Sequence, residues 1–223
     1  MRAVLALLIV LTLAACGSGG PPAPDWKSDA ADLMARYTKH ELLGDNLLAE
    51  RYFTQAVAAT GGAGRVAETA RLWLLRCALR RASLGDDDCR EYAELARIET
   101  TPADRAYYRY LTLQWNDLDP ALLPGHHAAL LRADAATIAT VLTDIPDPLA
   151  RLVAASVVTH QGRADDATLT IAAETASAQG WRRPLLVYLK LLEKRAAERG
   201  DTAAQSRLAA RIALVEKSFS PKP

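Results

Sequence analysis

The 223-residue sequence predicts an all-α fold, with antiparallel helix pairs stacked into an α-solenoid or right-handed superhelix. Three observations point there. Alanine and leucine dominate while aromatic residues make up only 6% of the chain, and alanine and leucine are among the best helix formers. Apolar side chains recur at spacings of three and four, and no stretch alternates convincingly with the period of two that a half-buried strand requires. Glycines separate successive helical patterns at intervals close to the 34 to 47 residues of helix-pair repeats.

Residues 1–15 stand apart from that pattern. Arg2 supplies a positive start, and Ala3 to Leu13 is apolar except for Thr12. The run falls short of the roughly 20 apolar residues that span a bilayer, and it has the layout of an export signal peptide. It ends in Leu13-Ala14-Ala15-Cys16, which resembles the lipobox of bacterial lipoproteins. The resemblance implies cleavage before Cys16, diacylation of its thiol and acylation of the new amino group. Several acyl chains anchor a protein stably where one holds it only marginally. The partner so implied is the lipid bilayer, with the protein lipid-anchored in the cell envelope. In that family an Asp after the cysteine often retains the protein in the inner membrane; Gly17 stands there instead, which implies the outer membrane, facing the periplasm. After Cys16, Gly17 to Pro24 reads GSGGPPAP, so residues 16–24 form a lipidated tether that glycine keeps loose and proline extended.

The helical domain is expected over residues 25–217, with a short tail at 218–223. Leu48, Tyr52, Ala56 and Ala59 fall on one stripe, with Ala49 and Phe53 beside it. Leu72, Leu75, Leu79 and Ala82 make a second; Trp73, Leu74 and Cys77 lie off it, as an inner helix with two dry faces requires. Thr101-Pro102, Asp119-Pro120 and Asp147-Pro148 each set a capping side chain before a proline at the first helical position, and Arg183-Pro184 is a weaker start of that kind. Leu185, Tyr188, Leu189 and Leu192 form a third stripe, and Ala204, Leu208, Ile212 and Val215 a fourth. Gly44, Gly85, Gly162 and Gly200 mark reversals between patterns. The gap from Gly85 to Gly162 is about two units long, and its missing turn falls near Asn116-Asp117. From there to Pro148 prolines and short helices break the period.

The window Gly44 to Ala56 resembles the tetratricopeptide family. It carries that family's Gly-Asp turn at Gly44-Asp45, then small Ala49, aromatic Phe53 and small Ala56. A second window, Gly162 to Ala167, keeps the turn, Ala167 and apolar Ile171, but has Glu174 where a small residue belongs; Gly200-Asp201 keeps only the turn. First helices depart further, with Tyr37 in a small position and His40 in an aromatic one. The resemblance covers about two helix pairs well. It implies a non-enzymatic scaffold that holds a protein or peptide partner in the envelope, in the manner of a pilotin or an assembly factor. A self-associating lipoprotein, joined through Ala203 to Val215, and an enzyme of cell-wall or sugar chemistry are the alternatives.

Composition and motifs narrow the chemistry. Removing residues 1–15 takes away Arg2, one of 27 basic side chains, and leaves 26 against 26 acidic ones, a balance that gives nucleic acid nothing to bind. Cys77 and Cys89 flank Gly85, and a tight reversal there would set them about one helical turn apart; a disulfide is expected, the alternative being two buried thiols. The partners for a zinc site are missing. His126 and His127 point in different directions on a helix and lack the HExxH spacing, so they are expected to be solvated or capping. Asp86, Asp87 and Asp88 lack the alternation of a calcium loop and suit a helix N-terminus. Arg76, Arg80 and Arg81 form a basic strip, read as a solvated face balanced by those acids. Trp26, Trp73, Trp115 and Trp181 are scattered, as packing residues are. No catalytic motif, metal site or cofactor is expected, and the oligomeric state is left open.

Overall fold

A computed structural model describes residues 24–219; the export-signal segment, Cys16, nearly all of the tether and the end of the tail lie outside the described residues. The described chain is all-helical and solenoid-like. Its helices are α1 (Asp25–Leu43), α2 (Asn46–Gly62), α3 (Val66–Ala82), α4 (Arg90–Leu95), α5 (Pro102–Leu111), α6 (Gly125–Arg132), α7 (Ile138–Thr143), α8 (Pro148–His160), α9 (Asp166–Ala178), α10 (Arg182–Glu198) and α11 (Thr202–Lys217). A single 3-10 turn, Pro120–Leu122, precedes α6. There is no strand among the described residues.

Local chemistry starts and stops these helices. Carboxylates at Asp45, Asp147, Asp165 and Asp201 each accept a backbone N–H from the first turn that follows, at 2.7 to 3.4 Å. Thr101 does the same for Asp104, whose carboxylate takes the Thr101 hydroxyl proton at 2.8 Å. Each such cap satisfies a donor that the helix cannot. The Arg183-Pro184 start falls two residues early, at Arg182 with Trp181 as N-cap. Pro184 sits in the first turn, where its missing N–H is no loss.

Gly44 ends α1 at φ +80°, with its N–H bonded to Glu41 O. Gly85 differs from expectation. The left-handed residue is Leu84, at φ +56°, while Gly85 lies so close to Arg80 that a Cβ would stand 3.1 Å from that carbonyl oxygen. The central reversal falls where expected, with Asp117 at φ +57°.

Helices adjacent in sequence pack together, α1 on α2 and α8 through α11 in succession. Beyond that, α3 packs against α8, and α10 reaches back to α1, so the last pairs of the stack meet the first. Arg183 Nε donates to Glu41 O at 2.7 Å, Arg182 bonds the Ser218 carbonyl, and the Phe219 ring covers Gly44. The Tyr188 hydroxyl donates to Ala82 O at 3.3 Å, tying α10 to the end of α3. Being central, α3 and α8 are buried nearly all round: α8 buries Leu152 through Val158 without a break.

In the first window Ala49, Phe53 and Ala56 are all buried. In the second, Ala167 is exposed and Ile171 half-buried; the buried stripe of α9 is Leu169, Ala172, Ala173 and Ala176 instead. The reversal after α3 brings Cys77 and Cys89 to a Cα separation of 5.2 Å, and their sulfurs are bonded.

Candidate functional site

An apolar groove of about 490 Å3 lies between the first half of α1, α3 and α5. That volume lies in the range of ligand pockets, about 300 to 1,000 Å3. Helical spacing sets Trp26, Ala30 and Met34 on one face of α1, and Leu72 and Leu75 opposite them on α3. Tyr107 of α5 closes one side, and burial pushes its phenol pKa up. Thr60, at the end of α2, is buried and accepts the Thr69 hydroxyl at 2.8 Å, so the polar atoms beneath the groove are satisfied by each other.

Charge is confined to the rim. Arg71 holds the Asp104 carboxylate with both Nε and Nη2, at 2.8 to 3.1 Å, and this pairing raises the Arg71 pKa. Arg65 forks onto Glu68 at 2.7 and 3.0 Å and lies 5.4 Å above the Trp26 ring. Its hydrogen bonds hold Glu68 below the ordinary carboxylate range, the opposite of what a proton donor needs. Lys27 adds an exposed ammonium at the mouth. An apolar floor with a polar rim, most of whose charges pair with each other, suits binding of an apolar group.

Behind the groove lies a smaller space of about 160 Å3, between α3, α5, α6 and α8. Leu75 and Tyr107 belong to the walls of both. His127 lines the inner space and is only 2% exposed, contrary to the expectation that it is solvated. Its ring packs against Tyr110 at 4.6 Å and Tyr107 at 5.5 Å. Burial drives its pKa down to about 3, the adjacent His126 adding to the effect, and Nδ1 has no hydrogen-bond partner among the described residues.

The basic strip is likewise not solvated. Arg76 is 8% exposed, with its guanidinium 4.4 Å from the Phe53 ring centre and 5.2 Å from that of Trp73, and it grips Glu50 at 2.9 and 3.1 Å. Arg81 is as buried, donates to Asp87 O at 3.1 Å, and has its pKa lowered by desolvation. Arg80 pairs with Asp87 at 3.4 Å. Arg80, Asp87 and Glu50, with Glu41 and Arg183, line a polar cleft of about 480 Å3 between α1, α2, α3 and α10, where the arginines are committed to partners within the chain. Asp87 and Asp88 accept the N–H groups of Cys89 and Arg90 at 2.9 and 3.1 Å, in the turn just before α4.

The four tryptophans stay apart. Trp73 packs edge-on against Phe53 at 4.6 Å, Trp115 stacks on Tyr110 at 5.7 Å, Trp181 packs against both apolar cores, and Trp26 alone stands at the groove. Cys77, Asp87 and Cys89 come close enough to suggest metal ligands, but both sulfurs are spent on each other. Among the described residues no helix is long and apolar enough to cross a membrane. Set against known proteins, the chain matches no family model, no curated protein and no solved structure.

Proposed function

We propose that the mature protein is a lipid-anchored scaffold of the bacterial cell envelope, held by acyl chains on Cys16, whose groove between α1, α3 and α5 receives an apolar segment of a partner protein. The observation that carries this reading is the groove itself: an apolar floor at Ala30, Met34, Leu72 and Leu75, with the Arg65–Glu68 and Arg71–Asp104 pairs on its rim. The Leu-Ala-Ala-Cys sequence supports the anchor, and the Gly- and Pro-rich stretch that follows supports a body standing off the bilayer. The outer membrane is the proposed address, on the strength of Gly17.

Two measurements test it. Metabolic labelling with palmitate should mark the wild type and not Cys16→Ser; an unmarked wild type overturns the anchor. Ala31 is exposed at the groove, so Ala31→Trp fills it without disturbing the core. Partners crosslinked in intact cells to the wild type should fall roughly tenfold with that variant, because hot-spot pockets carry most of the binding energy. Unchanged capture sinks the groove as the partner site.

A second reading has one observation behind it. The outer face of α11 presents Ala203, Ala210, Ala213 and a 70%-exposed Leu214, and α11 rests chiefly on α10. Self-association through that face would be lost in Leu214→Glu, read as a change of mass by light scattering.

A further inference from the structure

We infer that the groove has a resident occupant: one acyl chain carried by Cys16, folded back into the protein that bears it. The inference deepens the proposed function and rests on its lipid anchor.

Position is the first argument. The groove opens on the first turn of α1, at Trp26 and Lys27. Cys16 lies ten residues before Trp26, a span of at most about 35 Å when fully extended. The lipid is therefore attached within reach of the mouth, and a short flexible link gives it an effective concentration in the millimolar range, which no dissolved ligand has.

Shape and chemistry give the second. Among the described residues this groove is the large space whose walls are almost wholly apolar; the polar cleft of similar volume is walled by ion pairs. Its floor is aliphatic, from Ala30, Met34, Leu72 and Leu75, and it abuts the inner space walled by Ala78 and Val153. An unbranched hydrocarbon chain is slender and flexible enough to lie along such a floor, and it asks for no hydrogen bond that the floor lacks. Transfer of the chain from bilayer to groove exchanges one apolar surrounding for another, so the exchange runs near balance. The remaining chains of a triacylated Cys16 keep the protein on the membrane meanwhile. A partner's apolar segment then binds by displacing the resident chain into the bilayer, which makes partner binding and depth of anchoring one equilibrium.

The test uses the full chain in growing cells fed palmitate that carries a photoreactive diazirine. After illumination, peptides are analysed by mass spectrometry. The expected result is a crosslink joining the Cys16 peptide to a peptide of α1 or α3 that lines the groove. Its yield should drop roughly tenfold in Ala31→Trp, as expected for an intramolecular site that has been filled, while the melting temperature stays that of the wild type. Four results overturn the inference. Groove peptides joined to phospholipid rather than to Cys16 assign the site to a bilayer lipid. A labelled Cys16 peptide with no groove crosslink leaves the chain in the membrane. Groove crosslinks that persist in Ala31→Trp place the contact elsewhere on the helices. A protein without label removes the anchor and the inference together, and only that last result also defeats the lipoprotein reading.

Discussion

At the scale of single residues, buried polar groups set the most testable properties. His127 has its pKa pressed from 6.5 in the open chain to about 3. Between those values the unfolded chain binds a proton that the folded protein refuses. Stability is therefore highest above about pH 6.5 and falls as pH drops toward 3. His127→Phe keeps an aromatic ring beside Tyr110 and removes the titration. Its melting temperature should change less than that of the wild type between pH 7.5 and 4.5; equal losses in both proteins would show that His127 is not the group responsible. Arg76 is a second case, a buried cation held by Glu50 and by the faces of Phe53 and Trp73. Arg76→Ala should cost about 2 kcal/mol in urea unfolding, the scale of a desolvated cation–π contact. The sequence does hold a sign of this burial, an arginine set among Leu72, Leu74, Leu75 and Leu79, where a solvated face is hard to build. For His127 no such sign exists. It follows Pro124-Gly125, which reads as loop, and it is buried by partners distant in sequence, among them the Tyr107 and Tyr110 rings of α5.

At the scale of elements, α3 and α4 are one stapled unit. The Cys77–Cys89 bond closes a loop of 12 residues around a reversal that already carries two left-handed residues, Leu84 and Cys89. By chain entropy a loop of that size is worth about 3 kcal/mol, so Cys77→Ser with Cys89→Ser should unfold that much more easily in urea at unchanged slope. A smaller effect would mean that the short α4 is held mainly by packing. What the sequence displays well at this level is helix identity and helix starts: Thr101, Asp147, Asp165 and Asp201 all cap as their side chains require. It displays register poorly. In α9 alanine is the commonest residue and is spread round the helix, so the pattern marks no single apolar stripe, and tertiary packing chooses the buried one.

At the scale of the whole molecule, the contact between α10 and α1 changes how the fold should come apart. An open repeat stack can lose its pairs one at a time from either end. Here Arg183 and Phe219 fasten the last pair to the first, and α3 and α8 share one core. Tryptophan fluorescence and far-UV circular dichroism should therefore trace coincident urea transitions; separate midpoints would show the halves to be independent. This closure is invisible to periodicity, because it joins positions about 140 residues apart. The groove is hidden for the same reason. Ala30, Leu72 and Tyr107 each look like ordinary core positions on their own helices, and they form a site only where three helices leave a gap between them.

That gap has a stiff wall. As a 17-residue helix of about 25 Å, α3 contributes Leu72 and Leu75 to the groove, Cys77 to the disulfide, and Arg80 and Ser83 to the polar cleft. A rod bearing on three places transmits load: whatever wedges the groove open pries at the staple, and cutting the staple lets the rod swing. Amide exchange across Arg90–Leu95 is where such leverage would register when the groove is filled.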